Sequence, residues 1–249
     1  AGTFDAMMKP QSVFLTGASS GIGASIAKTL LASGHNVFAM ARRGEMLDAV
    51  ADNARRYAVG EARIETMAGD VLDRGAQEEA VKLCVQEFGS LDVAIPNAGL
   101  GIFSNMAEAQ LDDWLHMVDV NIKGVLTTLH TCLPHLIASK GLFINIGSVA
   151  SRNVFPTSGV YCATKHAVLA IGEAIRQDLG KQVASTTICP GAVDTAFIEQ
   201  TKDPELLDQY RPNFKKGLKP EFIAEQVLLS IQNRGKGIIS DITIRPDFL

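Results

Sequence analysis

Three polar residues within one segment have the types and spacing needed to move a proton. Ser148, Tyr161 and Lys165 fall within residues 147–165, with the tyrosine and the lysine four positions apart. On a helix, side chains four residues apart lie on one face. An ammonium group beside a phenol favours the phenolate, so we expect Lys165 to lower the pKa of Tyr161 toward neutrality. Ser148 ends an apolar segment, and its hydroxyl can hold a substrate oxygen against the phenol. The Tyr–Lys pair alone is weak evidence, because ordinary exposed helices also carry it.

A glycine-rich segment follows the first apolar segment of the sequence. SVFLTG, residues 12–17, leads directly into glycines 17, 21 and 23, and a helical apolar pattern then continues to Gly34. A strand, a glycine turn and a helix direct backbone N–H groups and the helix dipole at a bound phosphate. Tight turns also use glycine for steric reasons alone. The segment therefore predicts a phosphate site, with a purely steric role as the alternative.

Two arginines end the second predicted strand, HNVFAMARR. In nucleotide-binding units, an acid about 20 residues beyond the glycines bonds the ribose of NAD, whereas an arginine accommodates the 2′-phosphate of NADP. Ala41 stands at the position of the acid and is followed by Arg42 and Arg43. A guanidinium can meet a phosphate with paired hydrogen bonds and stack on adenine. We therefore expect NADP(H) to be preferred over NAD(H), with a solvated pair of loop charges as the alternative.

Strands and helices alternate along the whole sequence. Helices are predicted at Glu45–Tyr57, Arg74–Phe88, Leu111–Ile137 and Tyr161–Leu179, and one more is predicted to open at Pro220, between strands that read as buried apolar segments. Pro134 is expected to bend or end the long helix in which it lies. Such alternation, without repeats or a linker, predicts an α/β fold with a parallel, doubly wound sheet. Residues 192–219 read as irregular, and long irregular segments in compact domains often form lids.

Composition excludes several classes of function. The sequence has 23 basic and 27 acidic residues, a net charge of −4, and no run of five like charges. This argues against nucleic-acid binding and against a basic membrane-binding patch. No apolar run is long enough to span a membrane. Three histidines, at positions 116, 130 and 135, share the long helix, but those at 130 and 135 have no ligand-like partners, so no metal site is expected.

The first residues of the sequence and its cysteines bear on the cellular compartment of the protein. Residues 1–7 have neither the basic nor the apolar region of a signal peptide, so we expect a cloning remnant with Met8 as the natural start. The four cysteines are widely spaced and lack a C-x-x-C pair. Free, mostly buried thiols in a reducing compartment are therefore expected, and the cytoplasm is the default location.

Together these segments resemble the short-chain dehydrogenase/reductase family over residues 10–246. The family's TGxxxGxG stands as Thr16–Gly23, and its NNAG as residues 96–99, with Pro96 in place of the first asparagine. Its four catalytic residues map onto Asn121, Ser148, Tyr161 and Lys165, and its PG motif onto Pro190-Gly191, followed by Thr195. The resemblance implies one Rossmann-type domain over residues 8–249, with a seven-stranded parallel sheet in the order 3-2-1-4-5-6-7 and helices on both faces. Proline removes a backbone donor, so a local change at the strand end is expected, without loss of activity.

The resemblance also implies an activity, hydride transfer between a nicotinamide and a carbonyl or an alcohol. In reduction, Tyr161 would give a proton to the carbonyl oxygen that Ser148 orients, while Lys165 would bond the nicotinamide ribose. Asn121 would hold a water that relays protons, and Thr195 would bond the carboxamide. The residues expected to contact the cofactor are Gly17, Ser19, Ser20, Gly21, Ile22, Gly23, Arg42, Arg43, Asp70, Val71, Asn97, Ala98, Gly99, Tyr161, Lys165, Pro190, Gly191, Val193 and Thr195.

The substrate is a small molecule whose identity the sequence leaves open. The candidate pocket residues are apolar, which favours a moderately hydrophobic ketone or aldehyde: Leu100, Ile102, Phe103, Val149, Phe155 and Phe197. Arg152 lies near the site and keeps short hydroxy acids possible, although a solvated loop charge is the simpler interpretation. Two alternatives stay open, an NAD-dependent dehydrogenase of a short hydroxy acid and a nucleotide sensor without turnover. The family resemblance further implies a homotetramer or homodimer.

Overall fold

The computed structural model describes residues 9–247, and a seven-stranded parallel sheet forms their centre. The expected remnant at 1–7 and the expected start at Met8 lie outside the described residues. The strand order is β3-β2-β1-β4-β5-β6-β7, which confirms the prediction. The strands are β1 (Ser12–Thr16), β2 (Asn36–Ala41), β3 (Ile64–Ala68), β4 (Val93–Ile95), β5 (Leu142–Ile146), β6 (Ala184–Pro190) and β7 (Asp241–Ile244).

Helices cover both faces of the sheet, because neighbouring residues of each central strand face opposite cores. In β1, Val13 and Leu15 contribute to one apolar core and Phe14 to the other, and all three are fully buried. Strands buried on both faces are typical of parallel sheets between helices. The helices are α1 (Gly21–Ala32), α2 (Gly44–Arg55), α3 (Arg74–Phe88), α4 (Leu111–Val118), α5 (Val125–Ser139), α6 (Gly159–Leu179), α7 (Pro204–Lys215) and α8 (Pro220–Gln232).

The strand order reverses direction between β1 and β4. From β1 the chain adds β2 and β3 on one side, and then β4 to β7 on the other. The connections that leave β1 and β4 therefore diverge at the carboxyl ends of these strands and open a crevice there. Open parallel sheets bind ligands at this point. The glycine turn follows β1, and the Asn97-Ala98-Gly99 turn follows β4.

The long helix predicted over Leu111–Ile137 is interrupted by one π-helical turn. This turn, Asp119–Gly124, joins α4 to α5 and contains Asn121. Single π-turns inside α-helices often occur at functional sites. Pro134 does not end α5, which continues to Ser139.

The lid segment, residues 192–219, is more regular than the sequence prediction. It contains a short 3-10 helix, Ala196–Gln200, and the helix α7. The Asp203 carboxylate caps α7 by accepting hydrogen bonds from the backbone N–H groups of Glu205 and Leu206, at 2.9 and 3.2 Å. An aspartate followed by a proline is a typical helix start, so this signal was present in the sequence and was missed.

All four cysteines lie in the described part of the chain, buried and with free thiols, as expected. Burial raises the pKa of three of them, Cys84, Cys132 and Cys189. Over residues 9–247, no helix is both long and apolar enough to cross a bilayer. Across the same residues, no cluster of three or more His, Cys, Asp or Glu side chains is placed to hold a metal ion.

Candidate active site

A cleft of about 1140 Å³ opens at the carboxyl ends of the central strands. Ser148, Tyr161 and Lys165 line it together with most of the residues predicted to contact cofactor or substrate. The predicted cofactor residues in the lining are Gly17, Ser19, Ser20, Gly21, Ile22, Arg42, Arg43, Asp70, Val71, Asn97, Ala98, Gly99, Pro190, Val193 and Thr195. The predicted substrate residues in the lining are Leu100, Phe103, Val149, Phe155 and Phe197.

The turn after β1 requires glycine at two positions. Gly17 has a φ of +65°, and a Cβ atom on it would lie 2.7 Å from the Ala98 Cα. A Cβ atom on Gly23 would lie 2.2 Å from the Gly17 carbonyl oxygen. Ser20 precedes α1 without capping it through its side chain in the described structure, so the first N–H groups of α1 stay available to a ligand. The glycine turn and the first N–H groups of α1 form a cradle that side chains at the glycine positions would fill. This cradle fits the phosphates of a dinucleotide.

Asn97 ties the turn after β4 to the turn after β1. Its Nδ2 donates hydrogen bonds to the carbonyl oxygens of Thr16 and Gly17, at 3.2 and 3.0 Å. The Ala98 N–H donates to the Thr16 hydroxyl at 3.2 Å. The two crevice walls are therefore held together by the asparagine that the sequence prediction assigned to the cofactor path.

Pro96 fits its position without loss of a ladder hydrogen bond. Ile95 is the last β4 residue paired with β1, so Pro96 lies just beyond the pairing. The Asn97 N–H donates to the Ile95 carbonyl at 2.9 Å, which closes a three-residue turn around Pro96. The fixed φ of proline suits the centre of such a turn. The change expected at this strand end is therefore confined to the turn.

Arg43 reaches the glycine turn. Its Nη2 donates to the hydroxyl oxygens of Ser19 and Ser20, at 3.2 and 3.0 Å. Arg42 also lines the cleft, and both arginines are exposed. The sequence prediction assigned the 2′-phosphate mainly to Arg42, whereas in the structure Arg43 is the arginine that contacts the glycine turn. Asp70 accepts a hydrogen bond from the Leu72 N–H at 3.0 Å, and Val71 is buried at the same end of the cleft.

Tyr161 and Lys165 lie on one face of α6, as predicted, and both are more than nine-tenths buried. The Lys165 Nζ lies 6.0 Å from the centre of the Tyr161 ring and donates a hydrogen bond to the Ile146 carbonyl at 2.9 Å. Burial lowers the pKa of Lys165 to about 8. The Ser148 hydroxyl lines the cleft and also caps the next turn by accepting from the Ala150 N–H at 3.1 Å.

The prediction that Lys165 lowers the pKa of Tyr161 is wrong. Burial raises the pKa of the phenol well above its ordinary value, and an interaction with the Ser148 side chain lowers it in part. The charged form of a buried phenol loses its hydration, and this cost outweighs the effect of a lysine whose ammonium group is already bonded to a carbonyl. Tyr161 is therefore held as the protonated phenol.

Asn121 is a fully buried amide with partners at both ends. Its Oδ1 accepts from the Leu100 N–H at 2.9 Å, and its Nδ2 donates to the Leu100 carbonyl at 2.8 Å and to the Thr164 hydroxyl at 3.0 Å. It lies outside the cleft lining, behind Gly99, where a Cβ atom would be 3.3 Å from the Asn121 Oδ1 and 3.7 Å from the Lys165 Nζ. Its position joins the π-turn to the loop after β4 and to α6. The water that it was predicted to hold remains a prediction.

Aromatic rings from three segments surround the Tyr161 ring. The ring centres of Phe103 and Phe197 lie 5.8 and 5.4 Å from that of Tyr161. Behind them, Tyr210 lies 5.2 Å from Phe103, and Phe214 stacks on Phe197 at 6.2 Å. Tyr210 and Phe214 were missed as pocket residues. Their spacing of four residues, with Leu207 three positions before Tyr210, indicates one face of a helix and could have revealed the apolar side of α7.

Besides Asn121, four residues highlighted in the sequence lie outside the cleft lining. Ile102 is buried in the core beside α4, where its N–H contacts the Met117 sulfur at 3.4 Å. Gly23 packs on the Gly17 carbonyl, and Gly191 packs on Pro246, so both act through close backbone contact. Arg152 pairs with Asp241 at the start of β7 and does not line the cleft, in agreement with the simpler interpretation of this residue.

A doubly wound sheet with a glycine turn and a buried Ser–Tyr–Lys set at its crevice defines a class of nucleotide-binding oxidoreductases. A family model described as short chain dehydrogenase matches residues 11–206. The chain is 34% identical to an uncharacterised oxidoreductase of Staphylococcus saprophyticus over 243 residues, covering 96% of this chain and 97% of that protein. The chain belongs to the short-chain dehydrogenase/reductase family and is an oxidoreductase of that family.

Solved structures with the same fold contain both kinds of nicotinamide cofactor. An alcohol dehydrogenase from the archaeon Thermococcus sibiricus, complexed with 5-hydroxy-NADP, superimposes with a TM-score of 0.84 at 28% identity, covering 97% of this chain and 98% of that one. A short-chain dehydrogenase/reductase from Burkholderia phymatum in complex with NAD gives a TM-score of 0.84 at 22% identity, covering 96% and 90%. The second likeness concerns the fold alone.

Proposed function

We propose that the protein is an NADP(H)-dependent oxidoreductase that reduces apolar ketones or aldehydes, or oxidises secondary alcohols to ketones. One observation carries this proposal. Ser148, Tyr161 and Lys165 meet in a single cleft that has a phosphate cradle on one side and an apolar aromatic wall on the other. A nucleotide sensor has no use for a buried phenol–lysine pair.

Bound NADP(H) would supply or accept the hydride, and the protein groups would manage the proton. The buried Tyr161 hydroxyl is protonated, which suits a group that donates a proton to a carbonyl oxygen. The Ser148 hydroxyl would hold that oxygen. Lys165, with a pKa of about 8, carries its charge at neutral pH and would stabilise the phenolate left on Tyr161.

The same residues suggest how the cofactor is held. The Gly17–Gly23 turn would hold the phosphates against the first turn of α1, and Asp70 and Val71 would face the adenine. Thr195 and Val193, after β6, would meet the nicotinamide end, close to Lys165. Leu100 and Phe103 line the same cleft with apolar side chains and would help to keep water away from the reacting face.

Cofactor preference provides a first prediction, based on the position of Arg43. A hydrogen bond to a charged group contributes about 1.5–3 kcal/mol. Arg43→Ala is therefore expected to raise the KM for NADPH about tenfold or more and to leave the KM for NADH unchanged, since NADH has no 2′-phosphate. Arg42→Ala is the matched control, with a smaller expected effect. The KM for NADPH and the KM for NADH should be measured in the unsubstituted protein and in both variants. Equal KM values for NADPH and NADH in the unsubstituted protein, unaffected by either change, would contradict the NADP preference.

A panel of carbonyl compounds tests the activity itself. NADPH oxidation should be followed with apolar ketones, apolar aldehydes and short keto acids, with NADH in parallel. We expect turnover of the apolar compounds and little of the keto acids, because Arg152 is paired with Asp241 and the aromatic wall offers no cation. Turnover confined to keto acids with NADH would favour the NAD-dependent hydroxy-acid dehydrogenase. NADPH binding without turnover in either direction would favour a nucleotide sensor.

A further inference from the structure

Tyr210 connects α7 to the loop that precedes the catalytic helix. Its hydroxyl lies 2.9 Å from the Thr157 hydroxyl and donates to the Pro156 carbonyl at 3.2 Å. Thr157 stands four residues before Tyr161, at the entrance to α6. One phenol on the lid segment is therefore bonded to the chain that leads into the acid–base residue.

The loop that receives this bond is itself held in an unusual conformation. Thr157 has a φ of +59°, which is rare for a residue with a β-branched side chain. Its carbonyl accepts a hydrogen bond from the Ser104 N–H at 2.8 Å, in the loop that follows Phe103. The lid segment, the loop after β4 and the entrance to α6 thus meet at one corner of the cleft.

The other contacts of α7 with the protein are made by half-buried apolar side chains. None of its residues is fully buried, and its apolar face consists of half-buried side chains that include Leu207, Tyr210 and Phe214. Its arginine, Arg211, pairs with Glu199 and Asp208 inside the lid segment and so does not tie the helix to the sheet. An element with little buried apolar surface opens at a small free-energy cost. The two hydrogen bonds of Tyr210 therefore add to the half-buried apolar contacts that hold α7 in place.

The ring of Tyr210, as well as its hydroxyl, makes a contact near the cleft. It lies edge-on to Phe103 at 5.2 Å, and Phe103 lies edge-on to Tyr161 at 5.8 Å. Counted from the reacting phenol, Tyr210 is the second ring outward, on the substrate side of the cleft. A substrate that extends beyond the space beside Phe103 would meet this ring.

We propose that Tyr210 determines which carbonyl substrates fit, by latching α7 to Pro156 and Thr157 through its hydroxyl and by closing the pocket with its ring. The substrate class this favours is a compact apolar carbonyl with a single ring, which packs edge-on against aromatic side chains. Tyr210 is a specificity-determining residue and takes no part in proton transfer. The substrate part of this proposal rests on the proposed carbonyl reduction, whereas the latch does not.

Two variants separate the hydroxyl from the ring. Tyr210→Phe keeps the ring and removes the latch, and Tyr210→Ala removes both. Tyr57→Phe is the matched control, since Tyr57 is an exposed tyrosine remote from the cleft. Hydrogen–deuterium exchange over residues 204–215 should be about fivefold faster in Tyr210→Phe and unchanged in Tyr57→Phe, because a net hydrogen bond is lost only in the former. Unchanged exchange in Tyr210→Phe would overturn the latch.

Specificity constants test the ring. A ketone with one ring, such as acetophenone, and a ketone with two fused rings, such as acetylnaphthalene, should be compared in all four proteins. Tyr210→Ala is expected to raise the ratio of kcat/KM for the larger over the smaller ketone about tenfold, as expected from removal of a pocket wall. Tyr210→Phe is expected to raise KM for both ketones with kcat nearly unchanged. An unchanged ratio in Tyr210→Ala would overturn the specificity role. If the unsubstituted protein binds NADPH but reduces no ketone, the proposed function and the specificity role both fail, and the exchange experiment still decides the latch.

Discussion

Replacing Tyr161 by phenylalanine is expected to lower kcat for carbonyl reduction by about 10²–10⁴-fold, the usual contribution of a positioned acid or base. The change removes one hydroxyl and leaves the ring packed between Phe103 and Phe197. We therefore expect the free energy of unfolding and the affinity for NADPH to stay near those of the unsubstituted protein. Single-turnover rates, NADPH titration and chemical denaturation measure the three quantities.

The control for this prediction is Tyr57→Phe, which removes the same atom from an exposed ring. It should have full activity. If Tyr161→Phe retained activity within a few fold, the proton would have to come from another group, and the proposed role of the Ser148–Tyr161–Lys165 set would be wrong. If Tyr161→Phe lost NADPH binding as well, the phenol would belong to the cofactor site more than to the chemistry.

Gly23→Ala is expected to damage both stability and cofactor binding, although Gly23 does not line the cleft. A Cβ atom there would lie 2.2 Å from the Gly17 carbonyl oxygen and 2.7 Å from the Asn97 Nδ2. Both are parts of the bridge that holds the two turns together, so neither can move without opening the phosphate cradle. Overpacking of this kind typically costs about 1–3 kcal/mol. We expect a loss of unfolding free energy in this range and at least a tenfold weaker affinity for NADPH.

Gly237→Ala is the matched control for this experiment. A Cβ atom at Gly237 meets no described atom within 4 Å. Denaturant unfolding and NADPH titration should therefore be nearly unchanged in Gly237→Ala. If Gly23→Ala behaved like Gly237→Ala in both measurements, the turn would not depend on the close approach of Gly23 to Gly17, and the steric account of the cradle would be contradicted.

The sheet and the Ser148–Tyr161–Lys165 set were accessible from the sequence, because both depend on local signals. Buried apolar segments, glycine turns and the Tyr161–Lys165 spacing each appear within a few neighbouring residues. The aromatic wall of the pocket, by contrast, depends on contacts between segments that are far apart in the sequence. Tyr210 meets Phe103 across more than one hundred positions of sequence, and nothing near either residue indicates this contact.

Other predictions failed because they concern direction or depth, which residue spacing does not encode. Ile102 and Phe103 are neighbours in an irregular loop, where no regular alternation decides which side chain faces the cleft. The pKa of Tyr161 depends on how completely the phenol is removed from water, and the four-residue spacing to Lys165 does not contain this information. Asn121 illustrates the opposite case. It is a polar residue within an apolar stripe, a local pattern typical of a buried, hydrogen-bonded amide, and the structure gives it three hydrogen bonds.

The four buried thiols have a practical consequence for work with this protein. A thiol reacts with alkylating reagents and peroxides through its thiolate, and burial suppresses this form in Cys84, Cys132 and Cys189. All four cysteine side chains are inaccessible in the folded chain. A maleimide reagent would therefore modify the protein only as fast as the chain opens. The rate of labelling, measured by mass spectrometry, would therefore report the rate at which the chain opens under native conditions, without any engineered probe.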